Sequence, residues 1–524
     1  MLGTTDRLTR GAAMLPPVSV DASVTAASSR RNRAQAKKAL RWERWALPVI
    51  ISVGALNFLW QLGSSSYYVD ETLSIEHSLP SLGSVLTVVR MTETTPWTYF
   101  LFLHEWLYRT GSQAEWVTRL PSAVAGILLV GAAYWTARAF LDRRAALLAS
   151  AFCALSPLVL EYAQQVRVYI FAMLAATIAV GAAARAPDAP SGRGRLLAAG
   201  AVMAVLSLWL HYTAALVILP LCVWFWTRES IPRRTRALFI GVCLLAELAA
   251  LPLLIDQYHY APNGGLVGIA NLTWGNVVRV IETPFDSRAA GGVGIVRLLG
   301  AAVVLGSVLT VALRRRGTLR DGRLLAALAL FAPLALVVIA AAGKDVLITR
   351  YTAVATPFML MAVAGAVAML PRARAILLVA LTLVLAGIGL TDSHRSTGFY
   401  APARDAIRYI EANPQPRESV VTPGLPGDDV PLDYYAERLM SPLPTFIAGT
   451  DTAPLAAAIG QRRPLWLITD IANSEFSNAG LLRSAALLLR PRGYRPLSVR
   501  TFTTVRTFAV FLTAPLSAAH AARR

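Results

Sequence analysis

The sequence is poor in charge and in cysteine. Only 15% of its 524 residues are Asp, Glu, Lys or Arg, 55% are hydrophobic and the mean hydropathy is +0.52, which excludes a water-soluble globule of this size. The three cysteines, Cys153, Cys222 and Cys243, all fall inside apolar runs. They have neither disulfide nor zinc-site spacing and read as small core residues. Acidic residues are scarce beside basic ones, 30 against 50, for a net charge of +20. Such an excess can mark a nucleic-acid binder, but here the basic residues lie in short clusters between apolar runs, where cytoplasmic loops collect them. No nucleic-acid partner is expected. A Gly-rich phosphate cradle is also missing, so neither nucleotide nor nicotinamide chemistry is indicated.

What the chain has instead is a succession of long apolar runs. The first 45 residues, rich in Ser, Ala and Arg and running into "RRNRAQAKKALRWERW", contain no apolar targeting core and predict a disordered basic cytoplasmic tail. Eleven transmembrane helices are then expected, near 46–62, 120–140, 146–161, 168–185, 196–210, 213–227, 236–256, 293–313, 324–342, 351–370 and 375–391. With this count every basic cluster falls on the inside: "RAFLDRR", "RAPDAPSGRGR", "TRESIPRRTR", "RRRGTLRDGR" and "PRAR". The segment "PWTYFLFLHEWLYRT" (96–110) is left out of the count because it is short and holds His104, Glu105 and Arg109. It is expected to lie along the outer surface. Residues 63–119 thus form a long first external loop with two amphipathic helices, "ETLSIEHSLPSLGSVLTVVR" and the Trp/Tyr/Phe-rich stretch. The transmembrane domain spans 46–391. Over 392–524, helical patterns such as "PARDAIRYIEAN" alternate with short β-like runs, "SVVTP", "LWLITD" and "TFAVFLT", which predicts a small external α/β domain.

This topology gathers polar residues at the outer membrane edge. They are Asp70 and Glu71 in "SSYYVDETLS"; Glu161, Gln164, Gln165, Arg167 and Tyr169 in "SPLVLEYAQQVRVY"; His211 and Tyr212; Asp256 and His259; and Lys344, Asp345, Arg350 and Tyr351 in "GKDVLITRY". Ionisable groups at membrane depth are costly unless they pair or line a wet cavity, so the cluster is a candidate site. A carboxylate can deprotonate an acceptor hydroxyl, and Arg or Lys can hold a departing phosphate. Each residue also has a structural reading: Asp70 as a helix N-cap, Arg350 as an interfacial anchor, Lys344 as a solvated loop charge, His211 and His259 as satisfied structural histidines. No His/Asp spacing matches a metal site, so no metal or other cofactor is expected.

The motifs "YYVDE", "TPW", "WVTRLPSAVAGILLVGAAYWTARAF", "SPLVLEYAQQVRVYIFAML" and "TRYTAVATPFMLMAVAGAV" resemble the membrane glycosyltransferases of the GT-C fold. Within that fold the similarity is to bacterial enzymes related to protein O-mannosyltransferases and to aminoarabinose transferases acting on lipid A. The resemblance implies transfer of a mannose- or arabinose-like sugar from a polyprenyl phosphate carrier to a cell-envelope lipid, glycan or protein. It places the active site and the C-terminal domain outside the cytoplasmic membrane. By motif, Asp70 matches the first-loop base, Glu71 its neighbour, and Arg350 with Tyr351 the late pair near the carrier phosphate. Relatives often carry an acidic residue where this chain has Gln165 and Val166, and a Pro-Pro step in place of "TPW". Arg167 and Lys344 are further phosphate candidates. A transporter or flippase of a lipid-linked or anionic solute is the alternative, although its polar groups should sit near the bilayer midplane in two repeated halves. An envelope scaffold is a third reading and leaves the acidic pair unexplained.

Overall fold

A computed structural model describes residues 44–260, 271–286, 294–313, 321–395, 402–414, 419–422, 429–440, 445–448, 464–470, 493–503 and 507–515. Nearly all of the expected basic tail therefore lies outside the described residues.

A helix stands at each of the eleven places where a span is expected. Eight are long and apolar enough to cross a bilayer. They are α5 (Glu115–Phe140), α8 (Tyr169–Arg185), α9 (Arg193–Leu210), α11 (Arg233–Tyr260), α13 (Gly294–Leu313), α14 (Gly322–Ala341), α16 (Thr356–Met369) with the short α15 (Thr349–Thr352) before it, and α17 (Arg372–Arg395). The bent pair α6 (Arg143–Ala154) and α7 (Pro157–Ala163) supplies a ninth, with an angle of 57° between its halves. Pro157 causes the break: it has no amide to continue α6, but its fixed φ suits the first position of a new helix, which Ser156 caps. The remaining two, α1 (Arg44–Leu59) and α10 (Ala215–Trp226), are shorter, and the 8-residue α12 (Trp274–Ile281) lies between α11 and α13 in the chain.

Burial ranks these helices. In the span that includes α16, 89% of the apolar window is buried, against 22% in α17, so α16 is central and α17 faces outward. α8 is packed closely on α5, where the Thr136 hydroxyl donates to the Thr177 carbonyl at 2.8 Å. Gly181 makes that approach possible, because a Cβ there would collide with Thr136 and Trp135.

The first loop carries three helices rather than the expected two. The stretch 71–90 is divided into α2 (Val69–Ser78) and α3 (Leu82–Thr92) at Pro80, and α4 (Thr98–Thr110) follows. At 13 residues, α4 is roughly 20 Å long, short of the ~30 Å hydrocarbon core. It stops at Gly111, whose φ of +59° is a left-handed turn open to glycine. α3 is tied to α11 by Gln257, whose side-chain amide donates to the carbonyls of Val89 (3.2 Å) and Thr95 (2.8 Å).

The described C-terminal residues form α18 (Ala403–Glu411), α19 (Asp429–Leu439) and a mixed five-stranded sheet. Its strands are β1 (Ser419–Thr422), β2 (Thr445–Ala448), β3 (Leu465–Asp470), β4 (Tyr494–Thr503) and β5 (Thr507–Pro515), in the order β2-β1-β3-β5-β4. β1 runs parallel to β2 and β3, while β5 is antiparallel to β3 and β4. α18 and α19 dock on the first loop. The Tyr435 hydroxyl accepts from the Tyr67 amide (2.8 Å) and donates to Glu115 (2.9 Å), which also receives Arg404 at 2.7 Å.

Candidate active site

Two neighbouring carboxylates open α2, where free helix amides favour acidic side chains. The N-cap is Tyr68, not Asp70, and Glu71 occupies the third helical position, from which its carboxylate accepts from the Tyr68 amide at 3.4 Å. Successive helical residues point about 100° apart, so the pair diverges. Glu71 turns inward and is fully buried. Both its oxygens are taken by Arg119 of α5, at 2.9 Å from Nε and 2.8 Å from Nη2, and the Val166 amide donates a third bond at 2.9 Å. Arg119 also donates to the carbonyls of Leu62, Ser65 and Ser66 at 3.0–3.2 Å. This buried fork fastens the loop before α2 to α2 itself.

Asp70 turns the other way. Its side chain is 28% exposed, and its Oδ2 accepts from Arg350 Nη1 at 3.2 Å. The Tyr68 hydroxyl lies 3.4 Å from that oxygen and 3.4 Å from Gln165 Oε1. Gln165 is buried and donates to Glu161 at 2.9 Å. Behind Asp70, buried Arg167 donates to Ser74 Oγ (2.7 Å) and to the Asp70 carbonyl (3.2 Å), with Glu93 at 4.0 Å. Burial opposes the charge on Arg167, but Asp70 and Glu93 beside it outweigh burial and hold its pKa above the ordinary arginine range. From Arg167 a row of rings leads across the site: Tyr169 lies 5.1 Å from His211, and His211 lies 6.3 Å from Tyr351. His211 sits at the break between α9 and α10. Burial, with Arg167 and Arg350 nearby, pushes its pKa down to about 3, so the ring is neutral. Tyr212, next to it, donates to Gln257 at 2.9 Å.

The structure thus brings together Asp70, Arg350, Tyr351, Arg167, Tyr169, Gln165 and His211 from four chain segments, each at an interrupted helix end. Irregular backbone at such depth is tolerated where it lines a polar site. Other expected residues lie elsewhere. Gln164 points to α1, where its amide donates to the carbonyls of Phe58 (3.1 Å) and Trp60 (2.8 Å). Lys344 is exposed in the turn after α14, and His259 is exposed near the end of α11. Neither makes a hydrogen bond or ion pair with the cluster among the described residues. Asp256 is paired with Arg90 at 2.7 Å. The sequence reading missed Arg119, Tyr68 and Glu93. Arg119 carried a usable signal: it is a lone arginine in the first turns of an apolar helix, where an ionisable group needs a buried partner. Among the described residues, no group of three or more His, Cys, Asp or Glu could hold a metal.

Residues 86–255 match the family described as Dolichyl-phosphate-mannose-protein mannosyltransferase. Among solved structures, the chain is similar to ArnT from Cupriavidus metallidurans in the apo state, with 14% identity and a TM-score of 0.57 over 92% of this chain and 99% of that one. ArnT bound to undecaprenyl phosphate matches with 15% identity and a TM-score of 0.54, over 90% of this chain and 98% of that one. No curated protein matches the chain in sequence. Coverage of nearly both whole chains means that the fold is shared from the first loop to the C-terminal segment. It is the multi-pass membrane fold that the sequence motifs imply.

Proposed function

We propose that this membrane glycosyltransferase, which uses a lipid-linked sugar donor, moves a mannose- or arabinose-like sugar from a polyprenyl phosphate to a cell-envelope acceptor at the outer face of the cytoplasmic membrane. The observation that carries the reading is the contact of Asp70 with Arg350. A base and a phosphate-binding cation meet at a partly exposed point, with buried Arg167 behind them. The match to a mannosyltransferase family over 86–255 supports the donor class, and the basic clusters at the opposite helix ends support the orientation.

The reaction is a single inverting displacement. The acceptor oxygen attacks the anomeric carbon, the bond from that carbon to the phosphate oxygen breaks, and the hydroxyl proton passes to the Asp70 carboxylate. The phosphate leaves carrying the electron pair. Arg350 exchanges Asp70 for this phosphate, Tyr351 beside it offers a hydroxyl donor, and the freed Asp70 carboxylate is left to take the proton. Arg167 is a positioning residue: through Ser74 and the Asp70 carbonyl it fixes the first turn of α2. Glu71, fully enclosed by Arg119, is likewise a positioning residue, whereas the motif resemblance set it beside the base.

Asp70→Asn tests the assignment, because the amide keeps shape and cannot accept the proton. In the purified, folded variant, release of polyprenyl phosphate from a polyprenyl phosphate sugar should fall by about 10²–10⁴-fold. Wild-type turnover by that variant overturns the reading. Mass analysis of envelope lipids, glycans and proteins, with and without the active enzyme, identifies sugar and acceptor together.

A further inference from the structure

At the end of the bundle remote from the active site, α10 and α14 part to leave a cavity of about 670 Å³. Its walls are apolar: Leu219, Val223 and Trp224 from α10, and Leu324, Ala327 and Phe331 from α14. Leu219, Val223 and Phe331 are exposed, so the cavity opens sideways toward the bilayer rather than into the protein. Its mouth carries Arg228, Asp321 and Arg323. His211 and Arg228 stand at opposite ends of the α10 segment, a three-residue 3-10 turn followed by the 12 residues of α10, which together rise roughly 24 Å, so the mouth lies near the other membrane surface.

The mouth holds two arginines against one carboxylate. Arg228 is paired with Asp321 at 3.0 Å and lies over the Trp224 ring at 4.6 Å. Arg323 is exposed and forms no ion pair among the described residues. At the same end of the bundle the first turn of α11 brings Arg233, Arg234 and Arg236, so this turn, the α10–α11 connection and the start of α14 together hold five arginines and two carboxylates, Glu229 and Asp321. Arg233 and Arg236 lie over the Trp226 ring, at 5.8 and 5.4 Å, in the indole-arginine pairing common at a headgroup interface.

We propose that this cavity is a binding site for an anionic glycerophospholipid of the leaflet opposite the active site. One acyl chain lies between α10 and α14, and its phosphate is held at the mouth by Arg323 and Arg228, with the α11 arginines adding positive charge at the same end of the bundle. The volume is that of a ligand pocket, about 300–1,000 Å³, and its apolar walls face hydrocarbon, so the neighbouring molecule available to fill it is a lipid chain. The positive excess at headgroup depth selects a negative headgroup, as basic pockets between membrane helices do. The sugar donor is the wrong occupant, since its phosphate must reach Arg350 at the far end of the helices. The inference rests on the chain crossing a membrane and, in excluding the donor as occupant, on the proposed role of Arg350.

The test is native mass spectrometry of the full-length protein in detergent, titrated with phosphatidylglycerol or phosphatidylcholine of the same chain length. One phosphatidylglycerol should be retained under activation that strips phosphatidylcholine. Ala327→Trp, which fills the cavity, should abolish that retention. Arg323→Ala should lower the preference for phosphatidylglycerol by about fivefold, the effect of one basic residue near a membrane surface. Release of polyprenyl phosphate should continue in both variants. Equal retention of the two lipids by the wild type, or unchanged retention in Ala327→Trp, overturns the proposal. Displacement of phosphatidylglycerol one-for-one by polyprenyl phosphate would overturn it too, making the occupant the carrier. If Ala327→Trp does not fold, Val223→Phe fills the same space from α10, and the wild-type comparison of the two lipids needs no variant.

Discussion

Asp70 shares a carboxylate oxygen with Arg350 and is partly exposed, whereas Glu71, one residue on, has both oxygens enclosed by Arg119. A sequence shows the two acids side by side and cannot show this, because the facing of each depends on where α2 starts and on an arginine 48 residues away. That Asp70 and Arg350, 280 residues apart, belong to one cluster was by contrast legible, since both sit at span ends next to recognisable motifs; their ion pair was not. Gln164, Lys344 and His259 were assigned to the cluster by depth alone, and depth does not fix the direction of a side chain around a helix. The role given to Arg350 makes a sharp prediction. Arg350→Lys keeps the charge but loses the planar fork that grips two phosphate oxygens at once. Binding of free polyprenyl phosphate by the purified Lys variant should weaken by about tenfold, equivalent to about 1.4 kcal/mol, and Arg350→Ala should weaken it further. Native affinity in the Lys variant would return Arg350 to the role of an interfacial anchor, which either cation fills.

Among the elements, the eleven apolar runs were readable because each repeats the same length requirement of a bilayer, and α18, β1, β3 and β5 because their periodicity is clean. β4 was missed: Pro496 interrupts its alternation, and the ladder shifts register between Pro496 and Ser498. The split of α2 from α3 at Pro80 was also missed, since an apolar pattern carries through a break that the missing proline amide imposes. That split matters for the site, because α2 is only 10 residues long and too short to hold its own angle. The Glu71–Arg119 fork supplies what length does not. Removing one partner of a buried ion pair typically costs ~3–5 kcal/mol, since the other charge is left uncompensated. Glu71→Gln should therefore lower the thermal stability of the purified protein as well as its turnover, and Arg119→Leu, which strands the carboxylate, should do so more strongly. Thermal unfolding in detergent checks both. If Glu71→Gln unfolds like the wild type and loses only turnover, Glu71 acts on substrate rather than on the position of α2.

At the scale of the whole molecule, the two ends of the bundle differ in character. One gathers Asp70, Arg167, His211 and Arg350 at interrupted helix ends; the other carries the basic clusters, among them Arg228, Arg323 and Arg372. The outward orientation proposed for the site follows from the positive-inside rule and requires that 96–110 does not cross. Two features of α4 support that condition: its length is below that of the hydrocarbon core, and His104 Nδ1–H donates at 2.9 Å to the Ser78 carbonyl of α2, within the same loop. Single cysteines test the orientation with little background, since Cys153, Cys222 and Cys243 are all buried. In intact cells, a membrane-impermeant maleimide should label Ser112→Cys, just past α4, and Asp405→Cys, on the exposed side of α18. It should label Arg372→Cys, ahead of α17, only after permeabilisation. Shielding of Ser112→Cys in intact cells would mean that α4 spans. Every later loop would then invert, Arg350 included, while Asp70, ahead of α4, would not, so the Asp70–Arg350 contact at 3.2 Å would be split across the membrane and the arginine clusters would lie outside against the charge rule.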